Sequence, residues 1–144
     1  MKAESTVSKP AHKPSVINQK TFGIFSLSLR DDGILHRHVS ARGEYKMSDL
    51  PELNSIIGEM VNYDPVPVMV TIDESVTVPF EAREVMAQKS GSPYSKAVAY
   101  VTKQLAHQLI ASFHININKP ERPTRLFDNE EEAVEWLKTF LPSN

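Results

Sequence analysis

The chain has 144 residues, 40% of them hydrophobic and 24% charged, proportions that fit one globular domain and exclude a wholly disordered chain or a coiled-coil rod. With 16 Lys and Arg against 18 Asp and Glu, the formal charge of −2 argues against a general polyanion-binding surface, so no nucleic-acid partner is expected. The lack of cysteine excludes disulfides, thiolate metal sites and a cysteine nucleophile; without a long apolar run or a signal-peptide core, a cytoplasmic protein with no membrane span is expected.

Residues 1–19 carry two prolines and few apolar positions, which predicts a disordered tail and a single domain over residues 20–144. From Thr21 to Arg30, Phe25, Leu27 and Leu29 alternate with small or polar residues, the two-residue period of a strand with one buried face. Asp31, Asp32 and Gly33 supply a tight turn, and Gly33 to Ser40 returns as an antiparallel strand. Asp49 and Glu52 have the spacing of a capping box, followed by an apolar stripe of Leu50, Leu53, Ile57, Met60 and Val61; a helix over about 50–62 results.

Asp64, Pro65 and Pro67 break that helix, and VPVMVTID then reads as a central buried strand. Pro79 suits the first turn of a helix over FEAREVMAQKS. SKAVAYVT has the composition of another buried strand. Thr102 is placed to cap the next helix, whose stripe of Leu105, Ala106, Leu109, Ile110, Phe113 and Ile117 is assigned to core packing. After a short strand, Thr124 to Phe127, Asp128 and Glu131 form a second capping box; Ala133, Val134, Trp136, Leu137, Phe140 and Leu141 supply the burial of the last helix. The order ββαβαβαβα predicts an α/β domain: a five-stranded mixed sheet with four helices, parallel after the opening hairpin.

Several residues have the types needed for chemistry. His36 and His38 lie two apart on a strand and face the same way, but no third ligand is near, and no metal site is assigned. His107 and His114 are seven apart, on one helical face. Asp73 and Glu74 end the central strand, where ligand sites of open α/β sheets gather, and with Ser75 and Thr77 they form the leading polar cluster. Glu81 and Arg83, on the first turn of the following helix, extend that cluster into a candidate interaction or ligand loop. Lys96, Lys103, Lys119, Arg122 and Arg125 fall around the last two strands and read as solvated charge in preference to an anion patch. No serine sits in a nucleophile-elbow pattern, and no catalytic residue or cofactor is assigned.

The segments DDGILHRHVS, VPVMVTID, PFEAREVMA, SKAVAYVT and NKPERPTRLFDNEEEAVEWL occur in an order that resembles the SpoIIAA-like group, including STAS and SEC14-like bacterial domains. The resemblance spans about residues 22–137 and implies a SpoIIAA-like (STAS) fold in a non-enzymatic bacterial module that signals through a protein partner. In the best-known relatives a serine at the start of the helix after the middle strand is phosphorylated; Glu81, Ala82, Arg83 and Glu84 occupy its place here, so the usual acceptor is missing, with Ser75 and Thr77 a few residues earlier as substitutes. The alternative implied by the same resemblance is a SEC14-like domain holding a small molecule or lipid. An open sheet leaves an edge to cover or charge, which admits a homodimer.

Overall fold

The computed structural model describes residues 14–142. Six strands form one sheet in sequential order: β1 (Val16–Phe22), β2 (Phe25–Arg30), β3 (Leu35–Val39), β4 (Val66–Ile72), β5 (Ser95–Val101) and β6 (Thr124–Phe127). The first three pair antiparallel, and β3 to β6 pair parallel. Helices α1 (Leu50–Met60), α2 (Phe80–Ala87) and α3 (Leu105–Phe113) connect the parallel strands, and α4 (Glu130–Lys138) follows the last one. The α/β class and the four helices agree with the pattern in the sequence. VPVMVTID and SKAVAYVT lie side by side in the same direction, with Val68 opposite Val98 and Val70 opposite Tyr100.

The strand count needs correction from five to six. The expected strand from Thr21 to Arg30 is broken by a two-residue turn at Gly23 and Ile24, across which Phe22 pairs with Phe25. Gly23 has φ +57°, the positive value that the first position of a II′ hairpin turn requires. The preceding arm, β1, lies largely in what the sequence assigned to a tail. Val16 and Ile17 are 51% and 63% exposed, so backbone hydrogen bonding to β2, not burial, holds this edge strand. The Ser15 carbonyl extends the ladder by accepting from Asp31 N at 2.8 Å. The rest of the expected tail, residues 1–13, lies outside the described residues.

Strand alternation sends Leu27, Leu35, Val39, Val68, Val70 and Val98 to one face of the sheet, where they pack with Leu53, Ile57, Ala82 and Met86 of α1 and α2. Ile34, Met69, Ala97 and Ala99 meet Ala133 and Leu137 of α4 on the other face. A strand order that steps one way across the sheet puts every right-handed crossover on the same side, and only a helix after the last strand is free to cover the opposite one. Leu27, Leu35, Leu53, Met69 and Leu137 are wholly buried, each contributing roughly 1.5–3 kcal/mol relative to exposure.

The helix starts differ from the expected ones. Asp49 ends a 3₁₀ turn, Met47–Asp49, with helical backbone angles and makes no side-chain cap, so the first capping box does not form. At α4 the cap is Asn129, one residue beyond the expected Asp128: its Oδ1 accepts from Glu132 N at 2.9 Å. Before α3, Thr102 Oγ1 accepts from Gln104 N at 3.1 Å, while Gln104 holds the cap position.

Candidate functional site

The largest departure from the sequence pattern lies at α3. Most of its expected core stripe points outward: Leu105, Leu109, Phe113 and Ile117 are 69%, 62%, 44% and 59% exposed, Ala106 is exposed, and only Ile110 is half-buried against the sheet side. The face turned to the sheet carries His107, Ala111 and His114, spaced four and three apart as one helical stripe requires, with the half-buried Ile110 beside them. The two histidines therefore share a face, as their seven-residue separation predicts, and it is the buried one.

Beneath this face lies a cavity of about 70 Å³. Its floor is the sheet, through Arg37, Val39, Val70, Ile72 and Tyr100; its walls come from Tyr45, Met86 and Arg83, and its roof from His107, Ala111 and His114. The surface is overwhelmingly apolar. It contains two arginines and two histidines but no acidic side chain.

Arg37 stands at the centre of this arrangement. In β3 it alternates in phase with the buried Leu35 and Val39, so the strand period forces its side chain to the core face. It is 5% exposed. Its Nε has no hydrogen-bond partner, and Nη2 reaches only the Met86 sulfur at 3.7 Å, a weak acceptor. No salt bridge among the described residues includes it. The Tyr45 hydroxyl donates to the same sulfur at 3.3 Å. Burial pushes the Tyr45 phenol up to about 12, against the opposing influence of the Arg37 charge. Burial likewise raises Tyr100, again opposed by Arg37 and by Arg122. Both phenols therefore stay neutral near pH 7 and able to donate.

The roof histidines are fixed by their other bonds. His107 Nε2 donates to the Val76 carbonyl at 2.9 Å, which leaves its buried Nδ1 without a partner. His114 Nδ1 donates to Asn118 Oδ1 at 3.0 Å, and its ring meets Tyr100 edge to face. Burial lowers the His114 pKa below 6.5; the Asn118 bond works against this, and the Arg83 and Arg122 charges add to it.

Of the loop residues singled out in the sequence, Arg83 alone lines the cavity, with its guanidinium against the Phe80 and Phe113 rings and its Nε donating to Val78 O at 3.4 Å. Glu74, Ser75, Thr77 and Glu81 are exposed. The Asp73 carboxylate accepts from Ala41 N at 2.9 Å and from His38 Nε2 at 3.0 Å. The backbone bond, foremost, and the His38 bond hold its pKa below 3.8. His36 Nε2 and His38 Nδ1 lie 2.7 and 2.8 Å from one shared Thr71 hydroxyl, on the α4 face. Among the described residues no group of three metal-ligating side chains converges.

Of the basic residues near the last strands, Arg122 and Arg125 are engaged separately. Arg122 ties the end of α2 by donating to the Met86 and Gln88 carbonyls at 2.7 and 2.8 Å, and Arg125 stacks on Phe127 and Trp136. The site's central cation, Arg37, had a signal in the sequence: a charge in phase with apolar neighbours in LHRHV. Tyr45 lies in the loop before α1, Met86 in α2 and Tyr100 in β5, so no local pattern brings the three together.

The fold and cavity define a mixed α/β domain with a buried cationic pocket between sheet and helices, and no helix among the described residues is long and apolar enough to cross a membrane. The profile of DUF7793, described as a domain of unknown function, matches residues 27–141, and the chain belongs to this family. No curated protein matches the chain. Among solved structures it is similar to a protein of unknown function from Arthrobacter sp. FB24, at 25% identity over 77% of this chain and 96% of that one, with a TM-score of 0.27.

Proposed function

We propose that the chain is a cytosolic binding domain of the SEC14-like kind, which holds a small, mainly apolar molecule between the sheet and α3. One observation carries this reading. The helix over the cavity turns Leu105, Leu109, Phe113 and Ile117 outward, presents only Ile110 of its large apolar side chains beside His107, Ala111 and His114, and leaves about 70 Å³ unfilled. Interiors normally close-pack, and a void of this size under a rotatable amphipathic helix is costly unless something occupies it. Binding is favoured over catalysis because the roof histidines bond to the Val76 carbonyl and the Asn118 side chain, not to a hydroxyl nucleophile.

Native mass spectrometry of freshly purified protein tests the proposal, together with thermal unfolding in the presence of a panel of small apolar molecules. A co-purifying mass or a saturable rise in Tm is expected. A clean apo mass with no stabilisation by any member of the panel overturns it.

A second reading, a STAS-type module that docks to a protein partner, is favoured by the outward face of α3. Leu105, Leu109, Phe113 and Ile117, with Phe80 at 41% exposure beside Phe113, form an exposed apolar surface of the kind that marks interaction sites. Ser75 and Thr77, both exposed, are then the residues open to a kinase. Loss of partner capture on changing Leu109 and Phe113 to Glu together would support this reading over the first.

A further inference from the structure

We infer that the molecule held in the cavity is an alkyl monocarboxylate, with its carboxylate on the Arg37 guanidinium and its chain directed toward the open side of the cavity. This rests on the ligand-binding reading above and names the ligand class of that site.

Three independent features lead to it. Arg37 is 5% exposed, its Nε is bare, and its one side-chain hydrogen bond among the described residues goes to a thioether. A guanidinium is a permanent cation, and buried cations are paired because leaving one without a counter-charge costs several kcal/mol. The lining supplies no carboxylate to pair with it among the described residues, which leaves the position open to a carboxylate carried by a ligand. A planar carboxylate matches the guanidinium fork with two parallel hydrogen bonds.

The neighbouring polar groups agree with an anion. The Tyr45 hydroxyl, close enough to share Arg37's sulfur contact, is neutral and could exchange its bond to that weak acceptor for one to an anion, and Arg83 adds a second positive charge to the wall. Chloride or another spherical ion would be served by the same charges, but it would leave the rest of the wall without purpose. Val39, Val70, Ile72, Val76 and Val78 line the cavity beside the guanidinium, and they suit an alkyl chain.

Size sets the mode of binding. A cavity of 150 Å³ accepts the six heavy atoms of benzene; by that ratio 70 Å³ has room for about three, the carboxylate group itself. The remaining atoms lie beyond the enclosed volume, along half-buried apolar lining residues such as Val78 and Ile110. A short or medium chain therefore fits with its head enclosed and its tail partly covered by α3.

The test is calorimetric titration of the full chain with sodium hexanoate and with hexanamide, its uncharged counterpart, at matched ionic strength. Wild-type protein is expected to bind hexanoate at least about tenfold more tightly than the amide. Arg37→Met is expected to weaken hexanoate by on the order of a hundredfold while changing the amide little. A second variant, Ala111→Leu, keeps Arg37 but fills the cavity, and is expected to abolish hexanoate binding even if Arg37→Met should fail to fold. Equal binding of acid and amide, or hexanoate binding that survives either variant, overturns the carboxylate assignment and leaves the ligand-binding reading standing. If neither compound binds and the panel of apolar molecules also fails, both fall.

Discussion

Arg37→Met probes the central physical claim most directly, because its sign depends on whether the guanidinium has a partner. In the structure the Nε–H is buried and unbonded, and Nη2 has only the Met86 sulfur at 3.7 Å. An unsatisfied buried donor costs about 1–3 kcal/mol, and more when it is charged. Methionine keeps most of the aliphatic stem and removes the donor and the charge. It is also shorter, and a void enlarged by roughly 30 Å³ would return about 0.7 kcal/mol of that gain at 24 cal/mol per Å³. The balance is a stabilisation of about 0.5–2 kcal/mol, or a Tm rise of roughly 3–4 °C per kcal/mol for a chain of this size. Urea denaturation in a buffer free of carboxylates is the assay, since guanidinium chloride would bring its own anion. A loss of stability of 3 kcal/mol or more is what breaking a formed ion pair would produce; that outcome would refute the claim that Arg37 lacks a counter-charge.

Further predictions concern the helices and the histidines. Leu109→Ala should change stability by no more than about 0.5 kcal/mol in urea melts, whereas Leu53→Ala should cost about 2–5 kcal/mol; a comparable cost at Leu109 would mean that the outer face of α3 is covered. Asn129→Ala should cost about 1 kcal/mol by removing the α4 cap and Asp128→Ala much less, and the reverse ranking would restore the cap to Asp128. His36 and His114 both have pKa values lowered from 6.5 first by burial. Below about pH 6.5 the unfolded chain therefore binds more protons at these positions than the folded one, so their contribution to stability is complete above pH 6.5 and declines as pH falls through the folded values. NMR titration should place both imidazole midpoints below 6.5; a midpoint above it at either residue would contradict the burial described here.

Much of the fold was legible because hydrophobic periodicity and turn chemistry act locally. The Asp31–Gly33 turn, the parallel neighbours β4 and β5, and the burial of Ala133 and Leu137 in α4 follow from residues close in the chain. The site was less legible. Asp73, the leading candidate among polar residues, serves to fix the strand end against His38 and Ala41, while Arg83 was the one member of that loop to reach the cavity. The polar cluster was read from its position after a strand, and position alone does not say which side chains turn inward.

Two features show where local information ended. β1 lacks a buried face, so its sequence has no amphipathic signal, and it exists as a strand because β2 offers a ladder of backbone groups. For α3, a period of three and four residues establishes which side chains share a face, but not which of two opposed faces meets the sheet when one is apolar and the other carries an isoleucine, an alanine and two imidazoles. The sequence by itself determined the alternation of strands and helices and the sheet's parallel half. Only the tertiary structure decided the rotation of α3 and the convergence of Arg37, Tyr45, Met86 and Tyr100 on one cavity, because those residues come from four separate segments and their meeting depends on packing distances that no single segment encodes.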